Sequence, residues 1–184
     1  MTPEGEHEGV AMGYPRQEME EMWRRWTAAN EAAEAANDWT GLGGFYTEDA
    51  HYTWTVGHHG EFAARGRQDI IDHVLVFEMI GFEGWTYPYR KVVIDDSRGE
   101  IVGYWSQVTP FTDEAGRRIQ TNGLGCSWFR YAGDFKWSEQ MDLFDVDDVQ
   151  GVLKKLNRLG LLSDAFKARQ QRYIDGTAPG SRFV

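Results

Sequence analysis

The sequence predicts an α+β fold, with helices clustered early and long strands late. Two patterns carry that prediction. Apolar side chains recur at three- and four-residue steps over residues 16–37, and four β-rich runs parted by polar turns fill residues 85–144. The length, 184 residues, suits one soluble domain with a sizeable core.

Residues 1–15 hold Pro3, Gly5, Gly9, Gly13 and Pro15 among scattered charges, the composition of a flexible arm. From Arg16 onward, Met19, Trp23, Trp26, Asn30 and Ala33 fall on one helical face, and Ala-rich sequence extends the helix to about Asn37. Asp38 suits the cap of a short second helix over residues 39–46, weakened by Gly41, Gly43 and Gly44. Residues 51–56 are rich in β-formers and read as a strand, and residues 57–60 as a loop. Ile70, Ile71, Val74 and Leu75 mark a third helix over residues 69–79. Four long antiparallel strands follow, over residues 85–95, 100–111, 118–131 and 135–144, joined by polar hairpin turns. Val149, Val152, Leu153 and Leu156 place a helix near the C-terminus, and Ser163-Asp164 can cap one more.

A net charge of −10 repels phosphate backbones and anionic lipid surfaces, so neither nucleic acid nor membrane is an expected partner. The longest apolar runs, such as Val92-Val93-Ile94, fall far short of the roughly 20 residues that span a bilayer. The acidic opening MTPEGEHEGV does not read as a secretory signal. Cys126 is the one cysteine, which suits a reducing cytoplasm and a buried, inert thiol. Aromatic residues make up 14% of the chain, with 8 Trp. Part of these must fill the core, and a cluster facing a cavity would suit a flat, apolar ligand.

The element order and several phrases resemble the nuclear-transport-factor-2-like superfamily. These are NDWTGL at residues 37–42, FYTEDA at 45–50, Arg65-Gly66-Arg67 with Ile70-Ile71, and WSEQMDLFD at 137–145. Its members include SnoaL-like polyketide cyclases, ketosteroid isomerases, scytalone dehydratases and limonene epoxide hydrolases. The resemblance spans residues 16–160. It implies a SnoaL-like domain: a cone-shaped α+β barrel, in which a curved antiparallel sheet with helices packed on its concave face encloses a small-molecule pocket. It also implies a homodimer. Residues 161–184 are then a C-terminal helix and tail, long enough to cover the pocket mouth or dock on a neighbour.

Position by position, the resemblance transfers only parts of known sites. The catalytic tyrosine, aspartate base and protonated aspartic acid of ketosteroid isomerases fall on Asn30, Trp54 and Ser127, which excludes that activity. The sheet histidine of scytalone dehydratases has no counterpart, because all five histidines lie within the first 73 residues. Tyr52 matches that family's strand tyrosine. Tyr52 and Asp142 also match limonene epoxide hydrolases, while Trp54, Gln107 and Thr109 stand where Asn, Arg and Asp are needed. The acid/base residue of SnoaL-like cyclases falls on Asp142 or Asp145.

Strand alternation extends this set. Tyr52 inward brings Trp54; Gln107 inward brings Trp105 and Thr109; Asp142 inward brings Gln140 and Ser138. Asn30 is the polar residue of an apolar helix face, and Ser127 can donate a hydrogen bond. Asp142 is the expected acid/base, its pKa raised in an apolar cavity. The competing reading is an exposed residue or helix cap beside Asp145, Asp147 and Asp148. Tyr52 either holds a ligand oxygen or is a core tyrosine. The adjacent His58 and His59 lack a third ligand at metal spacing, so neither a metal nor another cofactor is expected. Two functions stay open: cofactor-independent cyclase, isomerase, dehydratase or hydrolase chemistry on an apolar oxygenated molecule, or a non-catalytic ligand-binding or scaffold dimer. A third is a small subunit of a larger oxygenase.

Overall fold

Helix α1, Arg16–Ala36, forms where the chain has no Gly or Pro and is rich in Ala, Glu and Arg. It stops at Asn37, which takes the left-handed conformation at φ 52° and returns its N–H to the last turn. Met19, Met22, Trp26 and Ala33 form its buried stripe. The solvent face carries Arg16–Glu20, Arg24–Glu21 and Arg25–Glu21 ion pairs at 2.7–2.8 Å. The computed structural model describes residues 13–55 and 61–179, and the backbone of residues 181–182. The expected arm therefore lies outside the described residues up to residue 12, as do His7, His58 and His59. Tyr14 is tied down, its N–H on Asp96 O at 2.9 Å.

A 3-10 helix, Thr40–Phe45, leads into β1, Tyr46–Thr55. After β2, Glu61–Arg65, the helical turn α2, Arg67–Asp69, passes into a π-helix, Ile70–Phe77. There Glu78 N bonds His73 O at 3.1 Å. Strands β3 (Tyr89–Asp95), β4 (Glu100–Trp105), β5 (Val108–Thr112), β6 (Arg118–Gln120), β7 (Gly125–Tyr131) and β8 (Trp137–Leu143) follow. Helices α3 (Val146–Arg158) and α4 (Asp164–Ile174) and the short β9 (Ser181–Arg182) end the described chain. Asp145 caps α3, accepting from Asp147 N and Asp148 N, and Ser163 Oγ caps α4 by accepting from Phe166 N.

The main sheet runs β3-β4-β7-β8-β1-β2-β9, and β5-β6 form a separate hairpin. The sheet expected to be antiparallel is curved but mixed, because β1 lies parallel to β8. Hairpins set the alternating directions of neighbours along β3-β4-β7-β8. β1 reaches the sheet from the helical region, so no hairpin fixes its direction. Two expected long strands are each split. Ser106-Gln107 separates β4 from β5, and residues 121–124 separate β6 from β7. Residues 85–88 join the β5 hairpin only by the Thr86–Val108 bridge, so β3 begins at Tyr89. β2 was not expected; Phe62, Ala63 and Ala64 are buried in succession and give no alternation to read.

Two apolar clusters result. In the larger, Trp26 meets Phe45, Tyr46, Phe129 and Trp137 edge-on, with ring centroids 5.4–6.1 Å apart. Truncating such a buried indole costs about 3–5 kcal/mol. In the smaller, Val152 and Leu156 of α3 pack with Trp85 and with Ile119 of β6. The cavity is lined from both, and α3 and α4 cover it. Among the described residues no helix is long and apolar enough to cross a membrane.

Candidate functional site

Two neighbouring cross-strand rows build the cavity floor. In one, Gly103, Ser127, Asp142, Trp54 and Phe62 stand side by side across β4-β7-β8-β1-β2. In the next, Ile101, Phe129, Gln140, Tyr52 and Ala64 do the same. Directly opposed residues hold their side chains within contact. Trp54 stacks on Phe62 at 3.7 Å, and Ser127 and Gln140 flank the Asp142 carboxyl. Glycine makes room above. A Cβ at Gly103 would collide with the Trp23 and Tyr89 rings, and one at Gly125 with the Trp105 ring.

The polar groups form one connected set. Tyr52 Oη donates to Asp142 Oδ2 at 2.5 Å, and Gln140 Nε2 donates to Asp142 Oδ1 at 2.9 Å and to Tyr52 Oη at 3.0 Å. Tyr46 Oη donates to Gln140 Oε1 at 2.5 Å, fixing which end of the amide faces Asp142. Trp105 Nε1 donates to Ser127 Oγ at 2.9 Å, and Ser127 bonds Asp142 in turn. Tyr89 joins Ser127, and its hydroxyl accepts from Trp26 Nε1 at 3.0 Å. Every chain of donors ends on one carboxylate. That arrangement suits the ionised form, which accepts only.

Asp142 is partly buried at the wall of a cavity of about 410 Å³. Desolvation raises its carboxyl above the ordinary aspartate range, opposed by the hydrogen bonds from Gln140, Ser127 and Tyr52, in that order. Among the described residues no Lys, Arg or His forms an ion pair with it. Burial, and then the Asp142 charge, push the Tyr52 phenol well above its usual value. A carboxylate held in this way can take a proton from a bound ligand.

The roof differs. Val149, Gln150 and Leu153 of α3 and Arg169, Gln170 and Tyr173 of α4 line it. The Arg169 guanidinium lies over Phe82 at 4.5 Å and Phe166 at 4.8 Å, and bonds the Glu78 carbonyl. Tyr173 Oη donates to the Glu78 carboxylate, so two α4 side chains converge on one residue.

Of the residues singled out from sequence, Asn30, Tyr52, Trp54, Trp105, Gln107, Ser127, Gln140 and Asp142 lie on the cavity wall. Asn30 Nδ2 donates to Trp26 O at 2.8 Å, one helical turn back. The Gln107 side chain meets the Tyr87 hydroxyl. Thr109 is a correction: it does not line the cavity but is buried in the β5-β6 hairpin, where its Oγ1 accepts from Phe111 N at 3.1 Å. Alternation from Gln107 fails there because the strand breaks at Ser106-Gln107. Ser138 is another correction, since a register shift beside it turns Trp137 inward instead. The acidic run separates into distinct roles. Asp145 caps α3, and Asp148 holds the β6-β7 loop by accepting from Asn122 N and Gly123 N. Sequence reasoning missed Tyr46, Tyr87 and Tyr89. Only the aromatic excess hinted at them, and it does not say which rings converge.

No family model and no curated protein sequence matches the chain. Solved structures do. A SnoaL-like protein from Jannaschia sp. CCS1, provisionally described as a polyketide cyclase, superimposes with TM-score 0.55 at 15% identity over 80% of this chain and 96% of its own. The phenazine biosynthesis-related protein PhzB2 of Pseudomonas aeruginosa gives 0.58 at 14%, over 83% and 88%. TerC, crystallised with polyporic acid, gives 0.54 at 14%, over 72% and 98%. At these identities the likeness speaks for fold alone. The chain has the fold of the nuclear-transport-factor-2-like superfamily, the α+β cone that SnoaL-like proteins share.

Proposed function

We propose that the protein binds a flat, apolar, oxygenated small molecule in its cavity and takes a proton from it with Asp142, without a cofactor. The observation that carries this reading is the convergence of Tyr52, Gln140 and Ser127 on a carboxylate that no cation neutralises among the described residues. Aromatic walls favour a planar ligand, and about 410 Å³ lies within the roughly 300–1,000 Å³ of small-molecule sites. That TerC, of the same fold, was crystallised with a small molecule agrees with it.

The geometry alters one role. Tyr52 has a single hydroxyl hydrogen, and it is directed at Asp142. Tyr52 therefore supports the base rather than holding the ligand oxygen. The reaction class is proton abstraction next to a carbonyl, the step shared by isomerases and aldol-type cyclases. A direct test uses acetonaphthone in deuterated buffer, following loss of its methyl proton signal by NMR. The wild type should speed this exchange and Asp142→Asn should lose about 100-fold or more. Undiminished exchange in Asp142→Asn removes the carboxylate from the chemistry and leaves a ligand-binding protein.

We also propose a homodimer through the outer sheet face, where Val93 and Leu143 are exposed. A monomeric mass by sedimentation at micromolar concentration rejects it.

A further inference from the structure

Three charged side chains line the cavity among the described residues: Glu78, Asp142 and Arg169. Two of them answer each other on the roof, where the Arg169 guanidinium lies 3.9 Å from the Glu78 carboxylate. Asp142 stands apart on the floor, and no ion pair among the described residues includes it. With its carboxyl ionised, the described wall carries one negative charge in excess, at Asp142. A charge withdrawn from water without a counter-charge is costly, and a ligand that brings the counter-charge recovers that cost.

The neutral groups of the floor point the same way. Tyr52 directs its one hydroxyl hydrogen at Asp142 Oδ2. Gln140 Nε2 directs its two at Asp142 Oδ1, 2.9 Å away, and at Tyr52 Oη, 3.0 Å away. Ser127 bonds the same carboxyl while its Oγ accepts from Trp105 Nε1 at 2.9 Å. These donors are turned toward one another and the carboxylate. An ionised carboxyl has about four acceptor positions, and Tyr52, Gln140 and Ser127 occupy three. The floor therefore offers a ligand an acceptor, and a charged donor makes the strongest bond to it.

Aromatic rings surround this acceptor. Trp54 is the direct cross-strand neighbour of Asp142, half-buried and stacked on Phe62 at 3.7 Å. Its indole meets the Tyr52 ring edge-on at 5.8 Å. Trp105 and Tyr89 both reach the carboxyl through Ser127, and both line the cavity. The face of an indole or phenol attracts a cation within roughly 6 Å of the ring centroid. A carboxylate among such rings suits a cation, and the apolar remainder of the cavity suits the skeleton that carries it.

We propose that the cavity selects a protonated amine on a flat aromatic skeleton, with its N–H on the Asp142 carboxylate and its charge against the Trp54 and Trp105 rings. This goes beyond proton abstraction and does not require it. The carboxylate acts as a counter-ion, and while it holds an ammonium group it is blocked as a base. An amine is then a ligand in its own right and a competitor of any carbonyl compound in the same cavity.

The test compares naphthylmethylamine, protonated at neutral pH, with naphthalenemethanol, which has the same shape and no charge. Calorimetry should show the wild type binding the amine about 10-fold or more tighter than the alcohol. Asp142→Asn should bring the two affinities together. Trp54→Leu should shrink the preference about 3-fold or more, and an unchanged preference removes the Trp54 face from the site. Equal affinities in the wild type, or a tighter alcohol, overturn the proposal without any variant. A preference that survives Asp142→Asn but is lost in Glu78→Gln puts the cation on the roof and also overturns it. Circular dichroism excludes loss of fold in each variant. Adding the amine to the acetonaphthone exchange assay separates this inference from the base role, and competitive inhibition is expected. Amine preference with exchange untouched at saturating amine keeps the cation site and rejects Asp142 as the base. Exchange that depends on Asp142, with no amine preference, rejects the cation site and leaves the base standing.

Discussion

The floor and the roof of the cavity each present a carboxylate, and they treat it in opposite ways. On the floor, Asp142 receives neutral donors from three strands, β1, β7 and β8, and no cation among the described residues. On the roof, Glu78 is met by the guanidinium of Arg169 and the hydroxyl of Tyr173, both from the single helix α4. Strand positions are locked by backbone ladders, so the floor groups have little freedom to reorganise. The roof is fastened by side chains. The difference separates a preorganised reactive surface from a closure, and it predicts that damage to the floor shows in chemistry while damage to the roof shows in access.

The largest effect is expected from the floor carboxylate. Its carboxyl is raised by desolvation, so the folded protein keeps a proton that the unfolded chain has already released just above the ordinary aspartate range. Stability contributed at this site therefore falls as pH rises through that window, while base activity grows as pH passes the raised value. The acid limb of the exchange rate should lie above the usual aspartate range. Asp142→Asn should remove that limb and flatten the fall in thermal stability between the ordinary aspartate range and neutral pH. A wild-type limb at the ordinary aspartate value would erase the contrast between floor and roof.

Next comes Tyr46→Phe, which leaves the buried Gln140 Oε1 without its donor. A loss of about 1–3 kcal/mol in urea unfolding is expected, with slower exchange, because the amide is then free to turn. Full retention of both would show that Tyr46 does not fix the amide.

Glu78→Gln should act on the roof, costing about 1 kcal/mol, or roughly 2–4 °C in Tm. Amides of α4 should exchange faster with solvent, and acetonaphthone should associate and dissociate faster at nearly constant affinity. Unaltered hydrogen exchange in α4 would mean that the latch does not hold the helix. The smallest effect belongs to Thr109→Val, which should leave ligand affinity unchanged by calorimetry, since the residue lies outside the cavity. A clear loss of affinity would return Thr109 to the site.

Much of the framework was legible in the chain. The Met19–Trp26–Ala33 face of α1, the polar turns between strands, and the Ser163 cap of α4 are local patterns, readable from spacing and residue type. Asp142 and Tyr52 were legible as candidates through the order of elements. Alternation also placed Gln140 beside Asp142 and Trp54 beside Tyr52, because those pairs lie within unbroken stretches of strand. It failed for Thr109 and Ser138, each beyond an interruption of the strand that leaves no local mark. Tyr46 was assigned to a short helix, yet it is the first residue of β1.

By itself, the sequence determined the elements and their faces, since both follow from periodicities within a few residues. Tertiary structure decided what those faces meet. The bonds from Tyr52 to Asp142 and from Tyr46 to Gln140 join residues 90 and 94 positions apart, through a parallel pairing of β1 with β8 that no turn announces. Register between distant strands comes from the packing of the whole sheet under α1. The raised carboxyl of Asp142 and the gathering of five tyrosines around one cavity exist only once that packing is complete.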